Sequence, residues 1–323
     1  MDYDAADTVY FGGGTPTLMT ADEFAEILSA VRARFGISLD AEITSECNPK
    51  TVDSEKLSLM RQAGVNRLSI GMQSAVDTEL RALGRAHKFT DAADAVKMAR
   101  EAGFANISLD IMYGIPNQTM DSLAVTLEKT LELSPDHLSL YALKIEEGTP
   151  FYKMQDALVL PDEDTVADMY SYIGTLLESR GYNKYEISTF AKCGYESRHN
   201  LKYWEYEDYI GFGVSAHSFV GGVRVENSCD VSSYVSGGDA VESMTEIQID
   251  EQKNEYVMLR MRLSRGVDLS DYKLRFGSDF ECDFGEKFKK FSPQFVTLEN
   301  GTCSFTQKGF LVSNYILSEC LDF

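Results

Sequence analysis

A set of acids, an amide, an arginine and glycine-rich backbone follows successive apolar runs of the chain. Its members are Gly13, Gly14, Thr15, Glu46, Gln73, Arg85 and Asp110. Carboxylates bind an ammonium group or hydroxyls, whereas arginine or backbone N–H groups bind a carboxylate. Together these groups suit a zwitterionic ligand that bears ribose hydroxyls. Each also has a structural explanation: the glycines as a tight turn, Glu46 as a surface acid and Asp110 as a buried, hydrogen-bonded acid.

A second candidate group surrounds the segment HNLKYW at 199–204, which contains the single tryptophan. Haem binding needs a flat aromatic slot, a neutral imidazole for the iron and cations for the propionates. The chain offers these types as His199, Tyr203, Trp204, Arg198 and Lys202. The alternative is a packed aromatic hinge without a ligand.

The six cysteines offer no iron–sulfur or zinc site through their spacing, because no two of them stand in a CxxC or similar motif. In a reducing compartment, buried thiols are the expected state. This expectation covers Cys47, Cys193, Cys229, Cys282, Cys303 and Cys320.

A repeating strand–helix unit must position the first group of residues. The predicted strands are 8–12, 42–46, 67–71, 106–114 and 137–143. The predicted helices are a segment that begins at a Thr20/Glu23 capping box, then 52–63, 91–102, 121–133 and 164–179. Such alternation predicts a parallel sheet with right-handed crossovers, as a (β/α) barrel or a doubly wound sheet. Either architecture gathers the strand ends at one edge.

The pattern breaks after residue 190, which predicts three parts. Residues 1–190 form the (β/α) part, 191–245 a connecting region that contains HNLKYW, and 246–323 a small C-terminal α+β domain with a helix over 250–263.

Charge and hydropathy exclude several classes of protein. The net charge of −21 disfavours nucleic-acid binding. No apolar run reaches the roughly 18 residues of a membrane span, and the first residues do not resemble a secretory signal. We therefore expect a cytoplasmic protein that does not bind nucleic acid.

Several motifs, in this order and spacing, resemble the HemN/HemW branch of the radical S-adenosylmethionine (SAM) superfamily. They are YFGGGTPT, the ECNP of 46–49, LSIGMQS, LGRAH and LDIMYGIPNQT. The resemblance implies SAM binding by Gly13, Gly14, Thr15, Glu46, Gln73, Arg85 and Asp110. It also implies a 4Fe–4S cluster, held in the family by a CxxxCxxC loop that follows the first barrel strand. The expected fold is therefore an incomplete radical SAM (β/α) barrel that lacks this strand and loop, so that the cluster ligands are absent from the chain.

HNLKYW resembles the HNxxYW motif of HemW, which the coproporphyrinogen dehydrogenase branch lacks. This implies a haem chaperone that binds haem through His199, Tyr203 and Trp204 and delivers it to client proteins, membrane-associated ones included. It also makes His199 the leading candidate for the iron ligand, with His217 second and Cys193 third. SAM and the cluster would be accessory cofactors. The enzymatic rival is an oxygen-independent coproporphyrinogen III oxidase of porphyrin biosynthesis. A tRNA-directed radical SAM enzyme and an inactive truncated product are further alternatives. Enzymatic activity, a homodimer and the identity of the client stay open.

Overall fold

The computed structural model describes residues 5–236 and 240–322. Residues 1–4, 237–239 and 323, which belong to the predicted parts 1–190, 191–245 and 246–323, lie outside the described residues. The chain divides into two compact units, Met1–Lys184 with Ser188–His199 and Tyr185–Ile187 with Asn200–Phe323. The three-part division of the sequence stays a prediction.

The first unit is built on a sheet of parallel strands. Its strands are β1 (Ala6–Phe11), β2 (Ile37–Cys47), β3 (Arg67–Gln73), β4 (Asn106–Tyr113), β5 (His137–Ala142) and, after a short β6 (Asn183–Glu186), β7 (Thr189–Ala191). Strands β1 to β5 pair in parallel in chain order, and β7 pairs antiparallel with β5. The sheet is a curled half-barrel. The predicted incomplete barrel is therefore confirmed.

Helices connect these strands as the periodicity predicts. They are α1 (Ala21–Phe35), α2 (Ser54–Ala63), α3 (Asp77–Ala82), α4 (Phe89–Glu101), α5 (Met120–Glu132), α6 (Pro150–Met154) and α7 (Glu163–Ser179). The capping box that begins α1 is confirmed, because the backbone N–H of Thr20 donates to Glu23 Oε2 at 2.6 Å and the backbone N–H of Glu23 to Thr20 Oγ1 at 3.3 Å. The prediction missed α3, and β2 begins earlier than expected.

The two faces of the half-barrel differ in polarity. One face packs apolar side chains against the helices, among them Ile43, Leu68, Ile70, Leu109 and Leu138 with Phe24, Leu57, Val96, Leu127 and Ile173. Since neighbouring strand residues point to opposite faces, the other face receives Thr8, Tyr10, Glu42, Glu46, Arg67, Ser69, Asp110, His137 and Ser139. Barrel interiors are ordinarily filled with Val, Ile and Leu. A polar inner face therefore marks this side of the sheet as the candidate site.

The second unit contains small antiparallel sheets and short helices. Its elements are α8 (Arg198–Trp204, which begins in the first unit), β8 (His217–Val220), β9 (Val223–Asn227), α9 (Val231–Val235), β10 (Val241–Glu246), α10 (Ile249–Arg260), β11 (Val267–Asp268), α11 (Leu269–Phe276), the π-helix Glu281–Gly285, α12 (Glu286–Lys289), β12 (Val296–Glu299), β13 (Thr302–Phe305), α13 (Gln307–Leu311) and α14 (Ser313–Cys320). Buried aromatic rings fill its core, among them Tyr256, Tyr272, Phe280 and Phe288. The α+β character predicted for the C-terminal part is confirmed, although the helix expected over 250–263 ends at Arg260. Within the described part of the chain, no helix has the length and apolar character needed to span a membrane.

Half of the cysteines contradict the expectation of buried thiols. The exposed ones are Cys193, Cys229 and Cys282. The first two lie in loops and the third on a solvent-facing helical turn, where no element covers the side chain. The buried ones, as predicted, are Cys47, Cys303 and Cys320. Burial raises the pKa of the Cys47 thiol to about 12, so it stays protonated at neutral pH.

Candidate functional site

Two carboxylates lie on the inner face at the carboxyl ends of β2 and β4. Glu46 stands opposite Ser69 of β3, whereas Asp110 stands between Gly71 of β3 and Ser139 of β5. The Ser69 hydroxyl donates to both Asp110 oxygens, at 3.0 and 3.2 Å. Asp110 is therefore the hydrogen-bonded acid that the sequence allowed, and it shares one surface with Glu46.

The surroundings of both carboxyl groups disfavour their ionised form. Burial raises the pKa of Asp110, although hydrogen bonds from Ser139 and Ser69 and the charges of Arg67 and Arg85 oppose that rise. Burial also raises the pKa of Glu46, and the negative charge of Asp110 adds to it. A raised carboxyl pKa means that the environment disfavours the ionised form. A cationic group of a ligand bound beside these acids would stabilise their ionised form.

The glycine turn after β1 meets Glu46 from the other side. The Tyr10 hydroxyl donates to Glu46 Oε1 at 3.0 Å, and the Gly13 N–H also donates to this carboxylate. A Cβ on Gly12 would lie 2.6 Å from the Tyr10 ring, so only glycine fits there. A Cβ on Gly13 or Gly14 would meet nothing within 4 Å. The backbone of this turn is thus open to a ligand, while Thr15 precedes a 3-10 turn at Pro16–Leu18.

Gln73 ends β3 in a left-handed conformation with φ 67°, which is uncommon for a residue other than glycine. Its side chain folds back over the strand, since a Cβ on Gly71 would lie 3.0 Å from Gln73 Nε2. That places the Gln73 amide beside the position at which Gly71 pairs with Asp110. Arg85 is exposed on the connection after α3, where its charge acts on Asp110. The structure therefore brings Gln73 and Arg85 to the same end of the sheet as Asp110.

A buried polar cluster supports the segment that follows Gln73. The Ser74 hydroxyl donates to Glu79 Oε2 at 2.5 Å, and the Gln118 amide donates to the same oxygen at 3.4 Å. The Ala75 N–H donates to Thr126 Oγ1 at 3.2 Å. These contacts join the loop after β3 to the loop after β4 and α5. These hydrogen bonds fix the segment next to Gln73 and so stabilise its left-handed backbone conformation.

The leading haem-ligand candidate is anchored on β1 and β2. His199 Nδ1 lies 2.9 Å from Thr8 Oγ1, and its ring stacks on Tyr10 with centroids 4.9 Å apart. The buried Glu42 carboxylate accepts the N–H groups of Arg198 and His199, both at 3.0 Å. These N–H groups begin α8, so Glu42 satisfies donors that a helix leaves unpaired. His199 is thereby fixed on the inner face of the half-barrel.

The other candidate haem-binding residues have contacts that differ from those of His199. Tyr203 packs edge-on against Tyr209 with ring centroids 4.6 Å apart, as the hinge interpretation expects, yet 39% of Tyr203 remains exposed. Trp204 ends α8. Lys202 forms an ion pair with Glu207 at 2.8 Å. Aromatic packing alone therefore does not decide between a hinge and a ligand site.

The remaining cations and imidazoles are each tied to nearby groups. The Arg198 guanidinium donates to the backbone oxygen of Asp40 at 2.7 Å. His217 lies on β8 near Glu226, at 3.9 Å. His137 is fully buried, and its Nδ1 lies 2.8 Å from Ser108 Oγ.

Sequence reasoning missed four residues that complete these groups: Thr8, Tyr10, Glu42 and Ser69. All four occupy inner-face positions of strands. A usable signal was present in TVYFG and RLSIG, where polar residues alternate with apolar ones at the period of a strand.

The described residues do not fit an iron–sulfur cluster. Among residues 5–236 and 240–322, no group of three or more His, Cys, Asp or Glu is placed to hold a metal ion. The donor set of the inner face, by contrast, fits SAM. Glu46 and Asp110 can bind the cationic groups of SAM, which would stabilise their ionised form. The open glycine turn offers N–H donors to the SAM carboxylate.

Comparison with known proteins agrees with this geometry. The radical SAM superfamily model matches residues 2–130, and the HemN C-terminal domain model matches residues 248–312. The haem chaperone HemW of Bacillus subtilis is 34% identical over 322 residues, which are 97% of this chain and 85% of that protein. The chain belongs to the HemW family. HemW of Escherichia coli is 39% identical over 261 residues, 79% of this chain and 68% of its own length.

A solved structure has the same fold as this chain. Coproporphyrinogen III oxidase (HemN) of Escherichia coli superimposes with a TM-score of 0.82 over 97% of this chain and 77% of that one, at 24% identity. At this identity the likeness shows the fold alone. This chain thus shares its fold with HemN.

Proposed function

We propose that this chain is a haem chaperone, which binds haem and passes it to client proteins. The similarity to HemW proteins across nearly the whole chain supports this function. The observation that carries it is the anchoring of His199. Its backbone is held by Glu42 and its ring by Thr8 and Tyr10.

The anchoring also selects the atom that would bind iron. A histidine that binds a metal through one ring nitrogen commonly donates the N–H of the other to a neighbouring oxygen. Because Nδ1 of His199 lies 2.9 Å from Thr8 Oγ1, coordination falls to Nε2. The resemblance of the segment to HNxxYW adds Tyr203 and Trp204 as proposed haem-binding residues, and their aromatic rings suit a macrocycle. Lys202 has the charge that a propionate needs.

SAM is the second proposed ligand, on the residues whose chemistry fits it. Glu46 and Asp110 would face its cationic groups or ribose hydroxyls, and the backbone at Gly13 and Gly14 its carboxylate. Gln73 and Arg85 would complete the set, with Thr15 at the end of the turn. SAM supplies a sulfonium centre for reductive cleavage, with the electron coming from a 4Fe–4S cluster. Since the described residues do not fit that cluster, no reaction step is assigned to this chain.

The proposed setting is the cytoplasm, where clients, membrane-associated ones included, would receive the haem. The identity of the client and a homodimeric state are left to experiment. The oxidase alternative rests on a fold likeness to HemN. No contact in the described chain favours it over haem transfer.

A haem titration with two imidazole variants tests the proposal. We expect His199→Ala to shift the Soret band of bound haem and to weaken binding, because the iron loses its nitrogen ligand. His217→Ala is the matched control, since its imidazole is 48% exposed and lies on a different strand. It should leave the spectrum unchanged. The reverse pattern would make His217 the ligand. Absence of haem binding in the wild type would refute the chaperone function and favour the oxidase.

A further inference from the structure

One aromatic side chain contacts both candidate ligand groups. The Tyr10 hydroxyl donates to Glu46 Oε1 at 3.0 Å. The same ring stacks on the His199 imidazole, with centroids 4.9 Å apart and planes inclined by 17°. Glu46 belongs to the proposed SAM group, whereas His199 is the proposed iron ligand. The two groups therefore meet at Tyr10.

The position of Tyr10 is tightly constrained. Gly12 leaves no room for a side chain, since a Cβ there would lie 2.6 Å from the Tyr10 ring and 3.2 Å from Glu46 Oε1. On the other side, Thr8 and Glu42 hold the ring and backbone of His199. A movement of the Tyr10 ring away from Glu46 must therefore alter its stacking with His199.

We propose that Tyr10 is a positioning residue that couples the two groups, so that a ligand bound at Glu46 weakens haem binding at His199. This inference rests on the proposed function. An ammonium or hydroxyl group of a ligand would take the Glu46 oxygen that Tyr10 now uses. Once its acceptor is taken, the half-buried Tyr10 hydroxyl must turn to another hydrogen-bond partner, and the ring moves with it. His199 then loses the stacking surface that orients its imidazole.

Thermodynamic linkage makes the effect reciprocal and measurable. If SAM lowers the affinity for haem by a given factor, haem must lower the affinity for SAM by the same factor. The full chain is titrated with haem in the absence and presence of saturating SAM. We expect SAM to raise the haem Kd of the wild type about fivefold or more.

Tyr10→Phe separates coupling from binding. This variant keeps the ring that stacks on His199 and removes only the hydroxyl that reaches Glu46. Each ligand should still bind, and the change in haem Kd caused by SAM should fall to within about twofold. Tyr113→Phe is the matched control, because it removes a buried hydroxyl from β4 and should preserve the full change. An unchanged haem Kd in the SAM-bound wild type, a decrease instead of an increase, or the same increase in Tyr10→Phe would overturn the proposal.

A second readout needs no haem, so failure of the proposed function stays distinguishable from failure of this inference. The ring resonances of His199 are followed by NMR in histidine-labelled protein, assigned with His199→Gln. Replacing Glu46 by Leu, which removes both acceptor oxygens, should shift these resonances in the wild type and leave them in place in Tyr10→Phe. Equal shifts in both backgrounds would overturn the coupling even if haem binds. The expected pattern without haem binding would retain the coupling and reject the chaperone.

Discussion

Glu42 holds the beginning of α8 against β2, and its removal is the sharpest test of the site geometry. The side chain is 6% exposed, and its two oxygens accept the N–H groups of Arg198 and His199 at 3.0 Å. The hydroxyls of Ser197 and Thr44 approach Oε1 at 3.5 Å. Glu42→Gln keeps the shape of the side chain but replaces one acceptor oxygen by an NH₂ group. One of the two helix N–H groups then faces a donor.

The magnitude follows from these contacts. A hydrogen bond to a charged group contributes about 1.5–3 kcal/mol, and a buried donor without a partner costs about 1–3 kcal/mol. Glu42→Gln loses one such bond and the charge on the other, so we expect a loss of about 2–3 kcal/mol. Glu42→Ala loses both bonds and leaves a small cavity, so we expect about 3–5 kcal/mol.

Urea unfolding of both variants measures these losses. Glu26→Gln is the control, because Glu26 is an exposed residue of α1 and its replacement should change the free energy of unfolding by less than about 0.5 kcal/mol. Haem affinity is measured in parallel, and we expect Glu42→Gln to reduce it since His199 loses its backbone anchor. A change in Glu42→Gln no larger than in Glu26→Gln would show that the carboxylate does not hold α8.

Three further predictions concern the glycine turn, the buried acid and the thiols. Gly13→Ala should destabilise the chain by about 1–2 kcal/mol because φ is +93° there, whereas Gly14→Ala should spare stability and weaken SAM binding, as unfolding and calorimetry will show. The raised pKa of Asp110 means that this group contributes stability at low pH, which is lost as pH rises through the folded-state pKa. Asp110→Asn should therefore gain stability relative to the wild type as the pH rises above about 4, the ordinary pKa of an aspartate, while losing SAM affinity; a difference in stability that stays constant with pH would contradict the shift. Alkylation followed by mass spectrometry should label Cys193, Cys229 and Cys282 rapidly and spare Cys47, Cys303 and Cys320.

The strands, most helices and the acids at the strand ends could be predicted because they depend on local signals. Apolar periodicity marks each strand and helix, and parallel pairing gathers the carboxyl ends of the strands. The polar contacts of His199 could not be predicted, because Thr8 stands 191 positions earlier in the chain. Cysteine burial failed for a related reason. A free thiol is ordinarily buried, and only the tertiary structure shows that Cys193 and Cys229 lie in uncovered loops.

Strand β1 shows why the two ligand groups cannot be treated as separate modules. Thr8 and Tyr10 alternate with Val9 and Phe11, so a shift of one residue in the pairing with β2 would exchange the polar face for the apolar one. The observed register places Tyr10 opposite Thr44 and Phe11 opposite Ser45. With this register, one short strand supplies the hydroxyl that bonds His199 and the ring that joins His199 to Glu46, and it leads directly into the glycine turn. A shift of this register should therefore disturb the proposed haem-binding and SAM-binding residues together.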